Sequence, residues 1–161
     1  MTGARARLLP LALALSLAAS GTAAAPSGDP DVALAASAPA EAGPGETVAI
    51  EITATNRGGR GAVRLVDRVP GTLLDVTWTC TPWGEAECRP AGGQGNDVDA
   101  RAWLPPGGRV VLRIEGVAAH TAEGGVIRNT LVVDPPSRRS VTTATRVRGL
   151  ALDAAAQRQE R

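Results

Sequence analysis

The chain contains one histidine, His120, and any nucleophilic catalysis that relies on an imidazole base would have to run through it. A serine or cysteine nucleophile needs a base beside it and a third group to orient that base. His120 sits in Ala118-Ala119-His120-Thr121-Ala122-Glu123-Gly124-Gly125, a loop by composition. The serines beyond residue 24 are Ser27, Ser37, Ser137 and Ser140, and none stands in a strained turn that would present a nucleophile. His120 therefore reads as a solvated loop residue. Glu85 and Glu87 are the residue types of a glycosidase pair. Two positions apart on one short stretch of backbone, they cannot face each other across a bond. Gly95-Asn96-Asp97-Val98-Asp99 gathers an amide and two carboxylates in a glycine-containing turn, the oxygen ligands that calcium uses. The stretch lacks the later glutamate and the six to eight oxygens of a full shell. A turn opening into an exposed strand explains Asn96, Asp97 and Asp99 equally well. Trp83 and Trp103 are of a binding type, flat rings that stack on a sugar or a partner surface. The plainer alternative folds both rings over a sheet edge. No cofactor or metal is expected, and the chain reads as non-enzymatic.

The elements that would position these residues are strands. Apolar and polar residues alternate with period two in segment after segment, separated by Gly, Pro, Asn and Asp clusters. Val48, Ile50, Ile52 and Ala54 share one face of the clearest segment, which ends at Asn56-Arg57-Gly58-Gly59, residues that tolerate positive φ. Val110, Leu112 and Ile114 repeat the pattern, as do Val63 with Leu65 and Val98, Ala100, Ala102 with Leu104, the last set opposing Trp103. Leu74, Val76, Trp78 and Cys80 are expected on one inward face. Asn129 falls by parity among Ile127, Leu131 and Val133, so its amide should be buried and bonded to backbone. Val32 and Leu34 suggest a first strand over 31–37, and 141–147 reads as a threonine-rich edge strand. About seven to eight short strands with no helical repeat between them predict an antiparallel β-sandwich.

Cys80 and Cys88, with Pro82 and Gly84 between them to bend the chain, are expected to form a disulfide. A metal site would need two more ligands, and His120 is remote in sequence. The bridge should clamp a loop with Trp83 at its tip, and a short strand at 86–89 could return beside the first. The N-terminus supplies the oxidising destination. Arg5 and Arg7 precede a 12-residue apolar run, Leu8 to Ala19, and then small residues up to Ala25. Residues 1–24 read as a signal peptide, 25–30 as a flexible leader, 31–148 as the domain and 149–161 as a tail. Twelve apolar residues are too few to cross a bilayer, which takes about 20. Neither a C-terminal apolar span nor a wall-sorting motif is visible, so no stable membrane span is expected after processing. All 17 basic residues are arginine; removing Arg5 and Arg7 leaves 15 against 16 acids, a charge of −1. Such a chain has no electrostatic reason to bind nucleic acid.

Five stretches of punctuation, in order, resemble a bacterial conserved-repeat domain, catalogued as domain of unknown function eleven. Gly45-Glu46-Thr47-Val48 through Asn56-Arg57-Gly58 is similar to its "G-x-x-V … N-x-G" strand, and Val66-Asp67-Arg68-Val69-Pro70 to its "V-x-D-x-L-P" turn. Trp78-Thr79-Cys80 with Cys88 resembles its cysteine pair. Leu104-Pro105-Pro106-Gly107-Gly108 resembles its "L-P-x-G" turn, and Asn129-Thr130 its last motif. Ile50 stands where the first motif carries an aromatic residue, and Asp134 to Arg139 departs from the family's approach to the last strand. The resemblance implies an immunoglobulin-like sandwich in exported and cell-surface proteins, and no chemistry. Sequence thus predicts a non-catalytic interaction or structural domain of the bacterial envelope or secretome, with an envelope protein or a polysaccharide as partner. Two alternatives stand beside it: a small carbohydrate-binding domain using Trp83 and Trp103, and a calcium-stabilised adhesive module using Asn96, Asp97 and Asp99.

Overall fold

A computed structural model describes residues 28–134 and 138–149. The expected signal peptide and the tail beyond 149 lie outside the described residues. Among the described residues, eleven strands form two sheets packed face to face. Five make one sheet, in the order β1 (Val32–Ser37), β3 (Thr47–Asn56), β9 (Arg109–Ala118), β5 (Leu73–Trp83), β7 (Gly92–Gln94). Six make the other, in the order β2 (Glu41–Ala42), β11 (Ser140–Val147), β10 (Val126–Asp134), β4 (Gly61–Arg68), β8 (Asp97–Leu104), β6 (Glu87–Arg89). Pairing is antiparallel except between β11 and the two-residue β2. The architecture is an immunoglobulin-like antiparallel β-sandwich.

The period-two pattern produces this directly. Val48, Ile50, Ile52, Val110, Leu112 and Ile114 project from the first sheet into the core. Val63, Leu65, Val98, Leu104, Leu131 and Val133 meet them from the second. Apolar burial of this kind contributes on the order of 25 cal/mol for each Å² removed from water. Trp78 is the one large aromatic ring of the core, and it lies against Gly93 in the paired strand β7. A Cβ at Gly93 would come within 2.8 Å of the ring, so the glycine is what lets the strands close over it.

Four expectations are corrected. Leu74 is 48% exposed, and Leu73 takes the core position instead. Asp75 adopts φ 52° and the pairing of β5 with β9 slips between Leu74 and Thr77, so a bulge reverses the parity before Val76. The 86–89 stretch does not return beside β5: β6 crosses to the other sheet and pairs with β8, while β7 supplies the neighbour. Strand β11 is not an edge along its whole length, because β2 covers Arg146 and Val147. None of residues 56–59 has positive φ. Gly58 and Gly59 are needed for room: a Cβ on Gly58 would lie 2.5 Å from the Asp29 carbonyl oxygen. A hydrogen bond at the same place ties down the end of the expected leader, Gly59 N–H donating to the Asp29 carbonyl at 3.1 Å.

Candidate functional site

Cys80 and Cys88 are bonded, with Cα atoms 6.1 Å apart. Because β5 and β6 belong to different sheets, this short-range bridge joins the two layers of the sandwich. Both cysteines point into the core. Strand β5 runs three residues past Cys80, so Trp83 is the end of a strand and not the tip of a loop. There it pairs with Arg109 of β9, whose guanidinium carbon lies 4.6 Å from the ring centroid, within cation–π range. Gly84, at φ 67°, then turns the chain, and Ala86 N–H closes the turn on the Trp83 carbonyl at 3.4 Å.

A second turn faces this one. Pro105 to Gly108 closes with Gly108 N–H on the Pro105 carbonyl at 2.8 Å, Pro106 leading and Gly107 following at φ 75°. This is the geometry in which proline then glycine is favoured. Between the two turns opens a cleft of about 550 Å³, lined by Trp83, Gly84, Glu85, Pro105 to Gly108 and Arg109. Its volume is in the range of small-ligand sites. Trp83 remains 51% exposed in it.

Asn56 holds the proline turn in place, a role its sequence neighbours do not disclose. Its side chain is buried, and Nδ2 donates to the carbonyls of Gly59, Leu104 and Pro105 at 2.7, 3.1 and 3.2 Å. Oδ1 accepts from the N–H groups of Asp31 and Gly58, both at 3.0 Å. The Asn56 backbone exchanges further bonds with Gly107 and Gly108. One side chain thus ties the end of β3, the start of the domain and one wall of the cleft together.

The remaining candidates are placed elsewhere. Trp103 is 46% exposed on the outer face of the six-stranded sheet, between Ala62 and Glu87 on the neighbouring strands, and does not line the cleft. The two tryptophans therefore do not form a common platform. Asn96 Nδ2 donates to the carbonyls of Val69, Pro70 and Leu73 at 3.1–3.2 Å, stapling a turn as Asn56 does. Asp99 takes a two-pronged bond from Arg64 at 2.8 and 2.7 Å, and that bond holds its carboxyl below the usual range. Asp97 faces Arg68 at 3.4 Å. Among the described residues no group of acids, histidines and cysteines is placed to hold a metal ion. His120 opens a short 3₁₀ turn at the far end of β9 from Arg109 and is exposed. Glu85 lines the cleft, while Glu87 lies on β6 within 3.5 Å of Arg89.

Asn129 is buried as its parity requires, but its partner is a side chain and not backbone. Nδ2 donates to Asp67 Oδ2 at 2.6 Å, inside the core. Burial pushes the Asp67 carboxyl up to about 7, against the opposing pull of that bond.

Fold and cleft together define an immunoglobulin-like sandwich domain with an aromatic–arginine groove at one end. Among solved structures, the CARDB domain of a Pyrococcus furiosus protein, in complex with di-metal ions, superposes with a TM-score of 0.50 at 15% identity. That overlap covers 74% of this chain and 94% of that one. AvmM, which catalyses macrocyclisation in alchivemycin A biosynthesis, superposes with a TM-score of 0.43 at 12% identity, over 73% of this chain and 88% of that one. A β-glucosidase from Listeria innocua in complex with glucose gives 0.40 at 17% identity, over 76% of this chain and 17% of the enzyme. At such identities the CARDB likeness is one of fold. No family model matches the chain, and no curated protein matches it in sequence.

Proposed function

We infer that the chain is a non-catalytic, exported interaction domain of the bacterial envelope or secretome, and that the Trp83 cleft is its contact surface. The observation that carries this reading is a half-exposed tryptophan fixed at a strand end. Exposing an indole that could be buried forgoes burial energy, and rigid aromatic anchors of this kind dominate recognition surfaces. The inter-sheet disulfide next to it and the turn held by Asn56 pre-organise the walls, which lowers the ordering cost of binding. The disulfide fits an oxidising compartment.

Carbohydrate binding is the second reading, favoured by a flat ring bordered by charged hydrogen-bonding groups; it rests on Trp83 without Trp103. The calcium module gains no support from side chains already held by Arg64, Arg68 and backbone carbonyls. The test is co-sedimentation of the secreted protein with envelope fractions of the producing cells. Trp83→Ala should lose most of the bound fraction, and Trp103→Ala should keep it. Equal retention by both variants would remove the cleft from the function.

A further inference from the structure

Trp83, Arg109 and Glu85 make three different demands on an occupant of the cleft, and we propose that it is a saccharide carrying uronic acid. The sugar's carboxylate pairs with the Arg109 guanidinium, which stacks on Trp83 at 4.6 Å, and its ring packs on the part of the indole that this stacking leaves exposed. The proposal rests on the cleft being the contact surface. Arg109 has no carboxylate within 4.0 Å among the described residues, and no described group takes a hydrogen bond from its guanidinium. A planar guanidinium pairs best with a planar, two-oxygen acceptor. Glu85 imposes the opposite requirement. Glu85 lines the same cleft without a described partner, so it calls for hydrogen-bond donors. Acidic peptides satisfy Arg109 but bring no hydroxyl-bearing ring to Trp83 and Glu85. Neutral glycans supply hydroxyls to Glu85 and leave Arg109 without its matching acceptor. Uronic sugars carry both groups on one ring, and the C–H face of that ring is the apolar plane an indole accepts. Pro105 and Pro106 give the opposite wall a fixed shape at little entropic cost.

The experiment is a fluorescence titration of the Trp103→Phe protein, which removes an indole outside the cleft, with oligogalacturonate, a neutral oligoglucan of equal length and polyglutamate. Oligogalacturonate should change the tryptophan emission saturably, with an affinity that weakens as salt is raised, and the change should vanish when Trp83→Ala leaves the core Trp78 as the remaining indole. Arg109→Gln should weaken it at least tenfold. Arg109→Lys, which keeps the charge but not the fork, should fall between. Failure of oligogalacturonate to bind, equal affinity for the neutral oligoglucan, or tighter binding of polyglutamate would each overturn the proposal. Envelope co-sedimentation run beside it separates the two levels. Loss of envelope binding in Trp83→Ala without oligogalacturonate binding overturns the ligand class alone; retention of envelope binding overturns the cleft as well.

Discussion

Asp67 and Asn129 lie 62 positions apart in sequence and meet in the core, on neighbouring strands of one sheet. Besides their shared bond, Asp67 Oδ1 and Asn129 Oδ1 have no hydrogen-bond partner. A proton on Asp67 turns an acceptor into a donor, and an acceptor without a donor stands on the same amide. The folded state therefore holds this proton more tightly than the unfolded chain, whose carboxyl titrates near 3.8. Between about pH 4 and pH 7 the folded state binds more protons, so this contribution to stability is present below pH 4 and lost as the pH rises to 7. Asp67→Asn should raise stability by about 1–3 kcal/mol at pH 8 and leave it nearly unchanged at pH 4. Thermal melts across that range check this; equal pH dependence in the two proteins would mean Asp67 is charged when folded. Strand parity made the burial of Asn129 legible, because its apolar neighbours fix the face. Its partner was not legible, since nothing local to Asp67 marks which strand lies beside β4. Asn56 shows the same limit. Its alternation with Ile52 and Ala54 was visible, while its five side-chain bonds depend on turns from three separate stretches. Asn56→Ala should cost about 2–4 kcal/mol by stranding buried carbonyls and N–H groups, measured by urea unfolding.

At the scale of elements, alternation located the eight longer strands, and the errors came where alternation breaks. Leu73 and Leu74 are equally apolar, and the bulge at Asp75 chooses between them through a positive φ that no side-chain pattern encodes. The short β6 was visible as a segment, but three residues carry too little pattern to say which sheet they join. Its placement changes the meaning of the disulfide from a loop clamp to a tie between layers. Closing a loop whose ends are eight positions apart contributes roughly 2–3 kcal/mol in the loop-entropy account. Replacing both cysteines by serine should lower stability by at least that much, because two buried positions also become polar. Trp83→Ala should stay within about 1 kcal/mol of the parent, as expected for a half-exposed ring at a strand end. A loss of about 3 kcal/mol or more, the range of core aromatic truncations, would make Trp83 structural and weaken the cleft as a binding site.

The whole molecule comprises an N-terminal apolar run proposed as an export signal, a sandwich tied across its layers and a groove built where two turns meet. The first part predicts a secreted form beginning near Ala24 or Ala25, read by mass spectrometry; a secreted protein retaining Met1 would contradict it. The groove could not be assembled from sequence because its walls, 83–85 and 105–108, become neighbours only through the pairing of β5 with β9. Trp83 was legible as a candidate, and its companion Arg109 was not, being one arginine among 17. The most direct test is to map backbone and indole N–H chemical shifts of the folded protein as oligogalacturonate is added. Perturbations should concentrate at Trp83 to Glu85 and Gly107 to Arg109, with the Trp83 indole N–H among the largest and that of Trp103 unmoved. Perturbations centred on Trp103 and the outer face of the six-stranded sheet, or no perturbation at saturating oligomer, would contradict it.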